Sequence, residues 1–153
     1  MTGTVQDIWT ASAVGALMQQ HDAIEAVAGH GLVGDRYAEK VGSYSRPDEG
    51  ADRQLTLIEQ EQLDWLLAEH GITLTGNGAR RNLVTRGVRL NDLVGKRFYI
   101  GGVEVEGMRL CQPCKQLTEK LGFDFVYLML NRSGLNCRIV SGGTIRAGDA
   151  VRE

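Results

Sequence analysis

Phe98-Tyr99-Ile100-Gly101-Gly102-Val103-Glu104-Val105 is the stretch that decides the fold. Phe98 and Ile100 alternate with polar neighbours, and Val103 and Val105 alternate with Glu104 and Glu106. Successive side chains of a strand point to opposite faces, and glycine adopts the positive φ of a two-residue turn, so the stretch predicts an antiparallel hairpin. Its second strand runs on toward Leu110 and delivers the chain to Cys111-Gln112-Pro113-Cys114.

Working outward, Lys115 to Leu121 predicts a short helix stopped by Gly122, and Phe125 to Leu130 a second helical piece. Asn131-Arg132-Ser133-Gly134 then turns the chain into a strand from Leu135 to Val140. Gly142-Gly143 and Ala147-Gly148-Asp149 punctuate two more short strands. Upstream, Val5 to Val14 and Ala23 to Val27 read as strands, and Glu39 to Arg53, charged and small, as a loop. The clearest helix is Ile58 to His70, with Leu63, Leu66 and Leu67 as its apolar stripe and Gly71 as its C-terminal stop.

Twenty glycines against two prolines favour many tight turns between short strands. The expected fold is mostly β with a few helices, a largely antiparallel barrel or curled sheet. Its 153 residues, 42% hydrophobic, suffice for one core, and 1–153 reads as a single domain. A net charge of −2 gives no global attraction to nucleic acid, no apolar run approaches a membrane span, and with no basic-then-apolar pattern a secreted disulfide framework is not expected. With an odd count of three cysteines, reduced thiols in a cytoplasmic protein are the expectation.

The chemistry-bearing stretch is the thiol pair. Cys114 falls at the start of the predicted helix, where unpaired backbone N–H groups, with Arg109 and Lys115 nearby, favour a thiolate. Such a thiolate can act as nucleophile, sulfur carrier or soft-metal ligand. Three plainer roles compete: a buried hydrophobe, a zinc site completed by Cys137 and a histidine among His21, His30 and His70, and a redox dithiol. A second group is cationic: Arg36 after Gly34-Asp35, Arg53 before Gln54, and Arg80-Arg81 before Asn82. Guanidinium groups beside glycine-rich turns or strand starts can grip a phosphate by forked hydrogen bonds, or be solvated surface charges. Asp35 could equally be a turn residue.

The order of these motifs resembles the MOSC domain, named for the carboxy-terminal part of molybdenum-cofactor sulfurases. The matching segments are Gly31-Leu32-Val33-Gly34-Asp35-Arg36, Arg53-Gln54, Arg81-Asn82-Leu83-Val84, Leu93-Val94-Gly95 with Ile100-Gly101, the Cys111 to Cys114 segment, and Gly142-Gly143-Thr144-Ile145 with Gly148-Asp149. No single glycine turn is specific, but their order and spacing are, and they span nearly the whole chain.

The resemblance implies a MOSC-type β-barrel and a cysteine that carries sulfane sulfur or ligates the molybdenum of the pterin cofactor (molybdopterin). In the family pattern that cysteine follows a proline, which places the role on Cys114 with Cys111 as accessory thiol. By the same analogy Arg36, Arg53, Arg81 and Asn82 line the phosphate-bearing end of this small anionic cofactor. A cysteine desulfurase or a molybdoenzyme is the implied partner, and enzymatic turnover would need one. No pyridoxal-phosphate site is expected within this chain; that group would sit in the partner. The alternatives are a non-catalytic cofactor-binding or chaperone module and a structural zinc or dithiol protein. The sequence departs from larger family members in lacking a His-Gly-Gly segment after Gly34-Asp35.

Overall fold

The computed structural model describes residues 2–13, 15–38, 53–113 and 125–153. Most of the expected loop from Glu39, the predicted helix from Lys115 to Leu121, Val14 and Cys114 itself lie outside the described residues.

The strands are β1 (Thr2–Thr10), β2 (Gln19–His21), β3 (Ala23–Val27), β4 (Gly31–Leu32), β5 (Leu55–Glu59), β6 (Leu83–Arg86), β7 (Arg97–Ile100), β8 (Val103–Leu110), β9 (Leu135–Ser141), β10 (Gly143–Arg146) and β11 (Ala150–Arg152). The helices are α1 (Gln60–His70), α2 (Gly76–Ala79) and α3 (Phe125–Met129). Strands β11, β7, β8, β9, β5, β6 and β1 form a closed ring, because β1 pairs with β6 along one part of its length and with β11 at its start. The β5–β6 pair is parallel and the other pairs of the ring are antiparallel, so the barrel is mixed. Closure satisfies the edges that an open sheet would leave unpaired. A small sheet, β10-β3-β4, lies beside it.

The predicted hairpin is present, with Ile100 paired to Val103 across Gly101-Gly102 and Gly101 at φ 58°. The period of two sends Phe98, Ile100, Val103 and Val105 into the barrel, each 0% exposed. There they meet Leu55, Leu57, Leu135, Cys137 and Ile139. A second core, built on Ile58, Leu63, Leu66, Val84 and Met129, fills the space between the barrel wall and the helices. Each fully buried leucine or isoleucine contributes about 1.5–3 kcal/mol.

The start of α1 and the end of β1 differ from the sequence reading in ways that bear on the core. Ile58 belongs to β5, paired with Val84, and the helix begins at Gln60. An apolar, β-branched run that finds a strand partner stays extended. The buried face of α1 is correspondingly Leu63 and Leu66, while Leu67 is 51% exposed. Strand β1 ends at Thr10, because the backbone N–H of Ala11 turns to Asp35 Oδ1 at 3.1 Å. Gly71 stops α1 as expected, at φ 64° with its N–H on the Leu66 and Leu67 carbonyls.

Among the described residues no helix is long and apolar enough to cross a membrane. One close approach positions the cysteine segment. A Cβ at Gly134, at φ 103°, would collide with the Leu57 carbonyl, so only glycine lets the chain pass between β5 and the segment that carries Cys111.

Candidate functional site

Alternation along β9 divides its side chains: Leu135, Cys137 and Ile139 enter the barrel core, and Asn136 faces the other way. Thr56 of β5 is paired with Asn136, and Asn136 with Arg109 of β8, so the three form a polar row across adjacent strands. This row lines a cavity of about 240 Å³ together with Arg53, Arg81, Tyr37 and the Leu110 to Pro113 segment. Among the described residues the lining holds three arginines and no carboxylate. Cationic side chains gather here although the chain as a whole is slightly acidic.

Each cation is set by local chemistry. Arg81 is 8% exposed, with Nε donating to the Ser133 carbonyl at 3.0 Å and Nη1 to the Ala79 carbonyl at 3.1 Å. Fixed in this way, it loses little freedom when it meets an anion. Arg53 is placed by its neighbour: the Gln54 N–H donates to the Cys137 carbonyl at 3.1 Å, and Gln54 Oε1 accepts from Ile139 N at 2.8 Å. That double attachment ties the start of β5 to β9.

Arg36 and Asn82, both expected at the cofactor, do not line the cavity. Arg36 is 4% exposed and spends its donors on Asp35 Oδ1 at 3.2 Å and the Arg80 carbonyl at 3.1 Å, with its guanidinium over the Tyr37 ring. Asp35 is a turn residue, holding the N–H groups of Ala11 and Tyr37. Asn82 is 0% exposed and bonds Thr56 and the Trp9 carbonyl. Both residues hold the frame around the cavity.

Cys111 is half-buried, and its N–H donates to the Gly134 carbonyl at 2.8 Å. The next residue is clasped as well: Gln112 Nε2 donates to Asn131 Oδ1 at 2.8 Å, and Gln112 Oε1 accepts from Asn131 N at 3.0 Å. The cysteine segment is therefore fixed as it leaves β8. Cys137 differs in kind. It is 0% exposed, and burial, with a smaller effect of Cys111, pushes its thiol above the ordinary 9.0. A protonated thiol inside a hydrocarbon core does not suit zinc. Among the described residues no three of His, Cys, Asp and Glu come together as a metal site. His21, on β2, is hydrogen-bonded to Thr10, and His70 packs edge-on against Trp65 at the end of α1.

Sequence reading did not select Tyr37, Thr56 or Asn136, and it used Arg109 only as a charge near the thiols. The available signal was Asn136 itself, an amide between two core residues of an apolar strand. Its partners became visible only with the register.

A mixed seven-stranded barrel carrying an arginine-lined cavity beside a cysteine segment defines a small β-barrel module. The chain belongs to the MOSC domain family, whose pattern matches residues 34–152. Its barrel is similar to that of the YUAD protein from Bacillus subtilis, with TM-score 0.82 and 21% identity, covering 99% of this chain and 94% of that one. It is also similar to YiiM from Escherichia coli, with TM-score 0.71 and 22% identity, over 99% of this chain and 69% of that one. YiiM from Geobacillus stearothermophilus gives TM-score 0.60 and 21% identity, over 67% and 55%. At these identities the likeness is one of fold. No functionally curated protein matches the chain.

Proposed function

We propose that the cavity receives the phosphate-bearing end of the molybdenum pterin cofactor and that Cys114, three residues beyond Cys111 in the sequence, is the working thiol. The observation that carries this reading is the convergence of Arg53, Arg81 and Arg109 with Cys111-Gln112-Pro113 on one cavity in which, among the described residues, no carboxylate stands. The donor set fits the group. Guanidinium forks match phosphate oxygens, and a thiolate is a soft ligand suited to molybdenum. When bound, the cofactor would supply redox chemistry that protein side chains lack. Arg53 and Arg81 would hold and orient its anionic end, and the clasped Gln112 would fix the direction in which the cysteine segment leaves β8.

A second reading, sulfur carriage, is favoured by the paired thiols. A cysteine desulfurase would load Cys114 as a persulfide. Attack of the Cys111 thiolate on the Cys114 sulfur would then form a disulfide and release the outer sulfur as hydrosulfide, a cellular thiol restoring the pair. Metal ligation is the stronger reading, because a sulfur carrier needs positive charge only near its thiolate, as Arg109 supplies, and not the further guanidinium groups of Arg53 and Arg81. In both, the chain acts as one cytoplasmic module with a desulfurase or molybdoenzyme as partner.

The test is to purify the protein from a host that makes the cofactor and to measure molybdenum and pterin per chain. Near-stoichiometric pterin with molybdenum that is lost in Cys114→Ser is the expected result, and an empty wild-type protein overturns the reading. A mass increase of about 32 Da on Cys114 after incubation with a desulfurase, one sulfur atom, would transfer the assignment to the carrier role.

A further inference from the structure

Asn136 is 4% exposed and lines the cavity, and among the described residues its Oδ1 has no hydrogen-bond partner. A buried carbonyl in that state has given up water without return, which native structures seldom tolerate without a reason. Two of its cavity neighbours are engaged elsewhere. The Thr56 hydroxyl donates to Asn82 Oδ1 at 3.1 Å, and the Thr56 N–H donates to the same atom at 3.0 Å. Arg81 directs Nε and Nη1 at backbone carbonyls. The acceptor thus stays buried and unpaired in the wall of a cavity furnished with cationic donors.

We propose that Asn136 is the specificity-determining residue of this cavity: its Oδ1 accepts from an N–H or O–H of a ligand whose anionic group is held by Arg53 and Arg81. The inference rests on the proposed cofactor reading and deepens it. A pterin ring carries such N–H donors, whereas a simple anion such as sulfate offers acceptors only. A site holding an acceptor in place discriminates against ligands without the matching donor, because its own polar group then stays unpaired. The arginines would supply attraction to any small anion, and Asn136 would select among them.

The test is Asn136→Leu, close in size and without an acceptor, with Asn136→Val as a smaller, strand-favouring variant should leucine not fit. Three measurements are made. The empty variant is expected to melt at a higher temperature than wild type, since an unpaired buried carbonyl has been removed. Its affinity for inorganic sulfate, by calorimetry, is expected to stay within about twofold, and pterin per chain after purification from a cofactor-making host to fall about tenfold. A lower melting temperature would mean that Oδ1 has an internal partner, which overturns the proposal. Sulfate binding that weakens as much as pterin retention also overturns it, since Asn136 would then only shape the cavity. Wild type and variant holding equal pterin removes this inference and leaves the cofactor reading standing. Wild-type protein that binds sulfate but carries no pterin removes both.

Discussion

Thr56 and Asn82 close a reciprocal pair across the parallel β5–β6 seam: Thr56 N and Oγ1 both donate to Asn82 Oδ1, at 3.0 and 3.1 Å, and Asn82 N donates to Thr56 Oγ1 at 3.0 Å. Asn82 Nδ2 adds a bond to the Trp9 carbonyl of β1 at 3.1 Å. One amide thus ties three neighbouring strands together and holds Thr56, a member of the polar row that lines the cavity.

Asn82→Ala removes the three bonds made by the side chain, keeps the one donated by the backbone N–H, and leaves buried groups on β5 and β1 unpaired. The expected loss is about 2–4 kcal/mol, read by equilibrium urea unfolding. A loss below about 1 kcal/mol would show that the pair does not hold the seam.

Arg81 and Arg36 are the same residue type in different employment, and conservative substitution separates them. Lysine cannot bond two carbonyls and still present a fork to the cavity, so Arg81→Lys should weaken sulfate binding about tenfold. Arg36→Lys should leave sulfate binding within about twofold and cost stability instead, about 1–3 kcal/mol, because buried Asp35 loses a fitted partner. Calorimetry and urea unfolding on both variants give the comparison, and the opposite pattern would move the anion site toward Arg36.

Cys137 gives the protein a pH dependence with a defined sign. Its folded-state pKa is raised by burial, so the native state keeps a proton that the unfolded chain releases above its ordinary value of 9.0. The unfolded state then binds fewer protons than the native state, and stability falls as pH rises. Below about pH 9 the contribution is fully present; above it the thiol adds a decline of about 1.4 kcal/mol per pH unit. Urea unfolding between pH 8 and pH 10 should show a shallower decline for Cys137→Ala than for wild type, whatever the baseline cost of the substitution. Parallel declines would place a polar partner on the buried thiol.

The sequence by itself determined the elements whose cause is local. The period of two around Gly101-Gly102 produced the hairpin, Gly71 stopped α1 in the left-handed region, and the order of glycine turns with Cys111-Gln112-Pro113-Cys114 marked the MOSC family. Each depends on side-chain alternation or backbone freedom within a few residues. Only the tertiary structure decided that Ile58 extends β5 against Val84, that β1 closes the barrel on β11, and which polar residues meet in the cavity. Thr56, Arg109 and Asn136 come from three strands, and their meeting is a property of register, which no local pattern contains. The same holds for Arg36 and Arg81: both follow turns, and what separates a frame residue from a cavity residue is the set of carbonyls and carboxylates that folding brings within reach. The thiol motif was legible because its chemistry lies in adjacent residues, whereas the unpaired acceptor of Asn136 exists only once every neighbour has been placed.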